Sequence, residues 1–154
     1  MKNLQELGLH HVGFVVKDLD EAIDRFKNLY GYVIEAPYDF KPGKVWSYGK
    51  QVSDYCLKIA MLKMGNGTVI ELIQPISGDG VHKDFILNGG QGLHHICYAV
   101  DDYDTWREYF VKSGNKFVFE SETEDETNGY RRCFYAKDEA VGMIYEIKEN
   151  PYFR

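Results

Sequence analysis

Apolar positions along this chain switch between a two-residue and a helical rhythm, and the same succession of rhythms occurs twice. Residues 9–16 are apolar and β-branched and predict a strand. Asp18 then offers a helix cap, and Ala22, Ile23, Phe26 and Leu29 follow at helical spacing until Gly31 stops them. Residues 32–36 predict a second strand, and residues 37–49, with Pro37, Pro42, Gly43 and Gly49, a loop. Strands over 55–63 and 68–73 follow, turned by Gly65-Asn66-Gly67. The unit is βαβββ. It recurs after a glycine-rich stretch (Gly78, Gly80, Gly89, Gly90, Gly92) broken by a short apolar turn at Phe85-Ile86-Leu87. The second copy has a strand at 93–100, a helix at 103–112 stopped by Gly114, and strands at 116–120, 130–136 and 142–148. The pattern predicts an α+β fold in one domain over residues 1–154, with module 1 at 8–75, a linker at 76–92 and module 2 at 93–150.

The repeat extends to residue identity. His10-His11-Val12-Gly13-Phe14 aligns without a gap on His94-His95-Ile96-Cys97-Tyr98, at an offset of 84 that Phe26 and Phe110 keep. Residues 55–71 align on 130–146 at an offset of 75, so Gly67 falls on Gly142, Val69 on Ile144 and Glu71 on Glu146. Strand side chains alternate faces, so His11 shares a face with Gly13 and Val15, Glu71 with Val69 and Ile73, and Glu146 with Ile144 and Lys148. A carboxylate on an apolar face is costly unless something compensates it. Two such carboxylates at symmetric positions, each matched by a strand histidine, point to one shared compensator, a divalent cation. His11, Glu71, His95 and Glu146 are the candidate ligands. Their imidazole and carboxylate groups suit Co, Ni, Zn, Mn or Fe(II), and no thiolate is present to select a softer ion. His10 and His94 fall on the opposite parity and read as structural residues pointing away from the site. His82, in the linker, carries no signal.

Charge and composition remove several classes of function. The net charge is −6, with acid concentrated over residues 120–126 in what reads as a solvated loop, and no basic stripe invites nucleic acid. No apolar run approaches the ~18–20 residues of a membrane span, and the start of the chain lacks a signal pattern, so the expected location is the cytoplasm. Cys56, Cys97 and Cys133 are odd in number, widely spaced and set in apolar strands, and read as buried free thiols.

From His11 to Glu146 the chain resembles the vicinal oxygen chelate superfamily, which includes glyoxalase I, methylmalonyl-CoA epimerase, extradiol dioxygenases and bleomycin-resistance proteins. The resemblance is carried by His10-His11-Val12-Gly13-Phe14-Val15-Val16-Lys17-Asp18, Ile70-Glu71-Leu72-Ile73-Gln74-Pro75, Gly92-Leu93-His94-His95-Ile96-Cys97 and Gly142-Met143-Ile144-Tyr145-Glu146-Ile147. It implies two βαβββ modules in a curled eight-stranded mixed sheet around a metal-binding cavity, and it places the family's ligands on His11, Glu71, His95 and Glu146. The stretches around Glu71 and His95 are most similar to methylmalonyl-CoA epimerases. The implied activity is a metal-dependent isomerase that moves a proton α to a carbonyl through a metal-stabilised enolate, with Glu146 as base and Glu71 as its counterpart on the opposite face.

Two departures keep alternatives open. The epimerases draw a further Glu from the segment before the Glu71 strand, where this chain offers only Asp39 and Asp54. Glyoxalase I of the bacterial type shares the ligand set but carries an Arg in the first strand, which reads Val-Gly-Phe-Val-Val here. A glyoxalase I-like lyase and a non-catalytic small-molecule-binding protein therefore stand as alternatives. Expected substrates are an acyl-CoA thioester or a hemithioacetal, with Arg131 or Arg132 turned inward to hold a carboxylate or phosphate. Phe14, Tyr98 and Tyr145 are expected along the cavity, and family members suggest a homodimer.

Overall fold

The two strands that open the repeats, β1 (His11–Val15) and β7 (Gly92–Val100), lie antiparallel and adjacent at the middle of one sheet in the computed structural model, which describes residues 3–154. Each is flanked by the last strand of its own module in parallel pairing: β1 by β6 (Val69–Ser77) and β7 by β10 (Met143–Glu149). Beyond β6 comes β5 (Cys56–Lys63), and beyond β10 come β9 (Gly129–Asp138) and β8 (Lys116–Asp125), all antiparallel. Helices α1 (Leu19–Tyr30) and α3 (Tyr103–Lys112) cover the outer face. The Asp18 side chain caps α1 by accepting from the Glu21 N–H at 3.0 Å, and Gly31 ends it in the left-handed conformation at φ 72°.

The sheet has ten strands, not eight. Residues 32–36 make only an isolated bridge, Ile34 to Leu62, and the edge strand beside β5 is β2 (Tyr38–Phe40) instead. The segment read as a loop also holds a hairpin, β3 (Lys44–Ser47) and β4 (Lys50–Val52), turned by Tyr48 and Gly49 at φ 51° and 78°. Positive φ at both central residues is the two-residue hairpin turn whose twist matches the flanking strands. Tyr48 is a rare occupant of that position, so the turn carried no Asn-Gly or Asp-Gly signal. The prolines and glycines of this segment bound the strands rather than fill a coil.

The extra strands curl the sheet. β2 pairs with β5 at one end of the strand order and β3 pairs with β8 at the other, although only residues 41–43 separate them. Four Cα steps span at most about 14 Å, so the two ends of the sheet face each other across a short gap. The linker is likewise not featureless: Val81–Leu87 form a helix, α2, whose Val81 and His82 are buried inside the curl.

Strand alternation divides the core. Val15, Leu57, Ile59, Ile73, Phe119 and Tyr135 pack together inside the curl. Phe14 packs under α1, and Tyr98 and Tyr145 pack under α3, so the three aromatics expected along the cavity lie on the outer layer. Their parity explains it: each neighbours an inward-facing residue on its strand. No helix is long and apolar enough to cross a membrane among the described residues.

Candidate metal centre

Pairing register brings the four candidate ligands to one level of the sheet. Gly13 stands opposite Glu71 on one side and His95 on the other, while Cys97 lies between His11 and Glu146. The side chains converge inside the curl: Glu146 Oε2 is 3.1 Å from His11 Nε2 and 3.0 Å from His95 Nε2, and the two Nε2 atoms are 3.3 Å apart. Glu71 Oε1 lies 3.5 Å from His11 Nε2 and 3.7 Å from His95 Nε2. All four donor atoms lie within 4.8 Å of one another, and each residue is at most 8% exposed. An ion bound tetrahedrally at ~2.0–2.2 Å by nitrogen and oxygen separates its donors by roughly 3.3–3.6 Å. The four residues therefore fit a divalent cation in both donor type and spacing.

Two features aim the imidazoles. An added Cβ at Gly13 would lie 2.2 Å from His95 Cε1, so the bare backbone of β1 makes room for that ring. Each His also meets its chain neighbour through Nδ1: His10 Nδ1 is 2.9 Å from His11 Nδ1, and His94 Nδ1 is 3.0 Å from His95 Nδ1. In such a contact one nitrogen donates and the other accepts. A ligand ring that donates from Nδ1 keeps its Nε2 lone pair for a cation. His10 and His94 therefore do not point away from the site, contrary to strict alternation. His10 precedes β1, where alternation has not begun, and the β1–β7 register slips between Gly13 and Phe14, opposite His94.

Electrostatics agree with these roles. Burial, with the charges of Lys148 and His11, pushes His10 down to about 4, and burial with His82 and His95 holds His94 well below the ordinary histidine value. Both rings are neutral and able to accept. For His95, burial opposes the charged form, but hydrogen bonds and charge from Glu146 and Glu71 outweigh it and raise the ring to about 9. Glu146 also resists burial: the charge of His11 and hydrogen bonds from His11 and His95 keep it well below the usual carboxylate range. The paired carboxylates demand a positive charge between them.

A cavity of about 430 Å³ opens over His11, Glu71 and Glu146. Leu57, Ile59, Met61 and Ile73 form its module 1 wall; Ser121, Thr123, Asn128, Arg131 and Lys148 form the wall opposite. Its aromatic lining comes from Tyr38, Phe40, Phe119 and Tyr135. Asp39, between Tyr38 and Phe40, is exposed and outside the cavity lining. Asp54 is also exposed, in a positive-φ turn where its carbonyl accepts from Ser77 Oγ. Neither replaces the missing Glu. Arg131 and Arg132 both border the cavity, with their charges engaged. Arg131 Nη1 donates to Asp125 at 2.8 Å, and Arg132 donates to both carboxylate oxygens of Glu149 at 2.8 Å and to Asp104 at 2.9 Å. Arg132 also stacks 4.3 Å over the Tyr103 ring of α3. The three cysteines are free, with Cys56 and Cys97 buried and Cys133 partly so.

His82 had no sequence signal, yet it is fully buried behind the centre. Tyr55 Oη lies 2.7 Å from its Nδ1 and Tyr135 Oη 3.1 Å from its Nε2, and the Tyr135 ring packs 4.7 Å from that of His95.

Known proteins resemble this chain along nearly its whole length. The ethylmalonyl-CoA/methylmalonyl-CoA epimerase of Cereibacter sphaeroides is 26% identical over 142 residues, covering 92% of this chain and 96% of that protein. The crystal structure of methylmalonyl-CoA epimerase from Mycobacterium tuberculosis superposes with a TM-score of 0.67 at 24% identity, covering 94% of this chain and 88% of that one. A Streptomyces coelicolor methylmalonyl-CoA epimerase variant in complex with 2-nitronate-propionyl-CoA gives 0.66 at 18% identity, covering 94% and 97%. The glyoxalase/bleomycin resistance protein/dioxygenase superfamily model matches residues 10–134, from the first histidine pair into β9, and the chain belongs to that superfamily.

Proposed function

We propose that this protein is a divalent-metal-dependent isomerase of the methylmalonyl-CoA epimerase type, moving a proton at the carbon next to a carbonyl. The observation that carries the reading is the set of four buried donors, 3.0–3.7 Å apart where paired, three of which line the floor of an open cavity. His11, Glu71, His95 and Glu146 would hold the ion, which when bound supplies Lewis-acid stabilisation of the negative charge that develops on a carbonyl oxygen. The remaining work falls to the chain. Glu146 takes the α-proton, and Glu71, its counterpart across the pseudo-twofold, serves the opposite face of the carbon, as inversion requires. The apolar wall of Leu57, Ile59 and Ile73 excludes water from the reacting carbon.

An acyl-CoA thioester is the proposed substrate class, in keeping with the epimerase relatives. A hemithioacetal is the less favoured substrate because β1 offers no Arg. All four ligands come from one chain, so the centre is complete in a single copy, and we place that copy in a cytoplasmic homodimer.

The deciding experiment is elemental analysis of protein purified without a metal-affinity step, compared with Glu146→Gln. About one ion per chain, lost or weakened in the variant, is expected. Wash-in of deuterium at the α-carbon of an acyl-CoA thioester should follow. No metal after reconstitution with Ni, Co, Zn or Mn would overturn the reading in favour of a binding protein.

A further inference from the structure

Lys148 breaks the symmetry of the repeat at the cavity wall. The offset of 75 that superposes Glu71 on Glu146 also superposes Ile73 on Lys148. Both residues line the cavity, but Ile73 is fully buried and apolar whereas Lys148 is half-buried and charged. It lies two residues beyond Glu146 on β10, on the same face, which sets its Cα ~6.6–6.8 Å further along the strand.

The three cations of this cavity differ in one respect. Arg131 is spent on Asp125 and Arg132 on Glu149 and Asp104. Lys148 has neither hydrogen bond nor ion-pair partner among the described residues. A partly desolvated ammonium without a counterion is costly and rarely kept without use. The charge of the centre gives it one. Glu71 and Glu146 would balance the charge of a dication held there, so a substrate carrying a carboxylate of its own would bring a negative charge with no counterpart at the centre. The apolar wall facing Lys148 takes the opposite kind of group, an alkyl substituent.

On the isomerase reading above, we infer that Lys148 is the specificity-determining residue of this cavity. It selects thioesters that bear a carboxylate on the reacting carbon over those that bear only alkyl groups. Its ammonium donates to that carboxylate from the module 2 wall, while the Leu57–Ile59–Ile73 wall accommodates the alkyl substituent.

The test is calorimetric binding of malonyl-CoA and acetyl-CoA, which differ by the carboxylate, to the metal-loaded protein and to Lys148→Met and Lys148→Arg. Wild type should prefer malonyl-CoA by about tenfold or more, the range of a charge-assisted hydrogen bond. Lys148→Met should bring the malonyl thioester down to the level of the acetyl thioester, and Lys148→Arg should restore most of the preference. A preference that survives Lys148→Met, or its absence in wild type, overturns the assignment. Deuterium wash-in by wild type separates the two readings. Wash-in without a Lys148-dependent preference sinks the role of Lys148 alone; the preference without wash-in sinks the isomerase alone.

Discussion

Gly13 shows how much of the centre depends on single atoms. Its α-hydrogen is all that separates the β1 backbone from the His95 ring, and a methyl there would lie 2.2 Å from Cε1. Gly13→Ala is therefore expected to tilt His95 and weaken metal affinity by roughly 10–100-fold, the range for disturbing the support of a ligand. Competition against a chelator of known affinity would measure it, and an unchanged far-UV circular dichroism spectrum would exclude unfolding. At this scale the sequence was informative about the donors, because a His and a Glu at matching points of a repeat are hard to explain separately. It was misleading about their neighbours. His10 and His94 touch the rings of His11 and His95 because strand alternation fails at the mouth of β1 and at the irregularity in β7, and neither break is written in residue type.

Among the elements, α2 has the largest effect for its size. It enters the curl with His82, which joins Tyr55 of module 1 to Tyr135 of module 2 through both ring nitrogens. His82→Phe keeps the volume of the ring but leaves two buried hydroxyls unpaired, and should cost about 2–4 kcal/mol in urea denaturation. His82 also imposes a pH dependence. Burial, reinforced by His95, lowers it from 6.5 to about 3, and no carboxylate bonds to it; the groups against it are Tyr55, Tyr135, Phe119 and the ring of His94. The folded state binds this proton less readily than the unfolded chain. Its contribution is therefore full above pH 6.5 and declines as pH falls toward 3. Stability of the metal-free protein should fall by up to about 1.4 kcal/mol per pH unit from this group across that window. Denaturation series at pH 7, 6 and 5 should show a shallower slope for His82→Asn; an identical slope would remove His82 from the account. The glycines flanking α2 had marked the segment as a linker, and seven residues are too few for helical periodicity to register. The β3–β4 hairpin escaped for a related reason: its strands are short and its turn uses Tyr-Gly.

On the scale of the whole molecule, the modules are interleaved. The β3–β4 hairpin leaves module 1 to pair with β8 of module 2, β1 pairs with β7, and the candidate centre takes two donors from each module. The chain should unfold in one transition, with equal calorimetric and van't Hoff enthalpies, rather than as two repeats in succession. Removing bound metal with a chelator should lower the melting temperature. An ion at one hundred times its dissociation constant stabilises the folded state by about 2.7 kcal/mol.

The repeat, the alternation along the regular stretches of the strands (which puts Phe14, Tyr98 and Tyr145 on the outer layer) and the chemistry of four side chains were determined by the sequence itself, since they rest on local periodicity and on the cost of placing carboxylates among apolar groups. The tertiary structure decided the rest. It set ten strands in place of eight, excluded Asp39 and Asp54 from the cavity, and engaged Arg131 and Arg132 while leaving Lys148 to face it. These outcomes depend on which strand edge a segment joins and which partner a charge meets. Such pairings form between residues far apart in the chain, where local spacing holds no record of them.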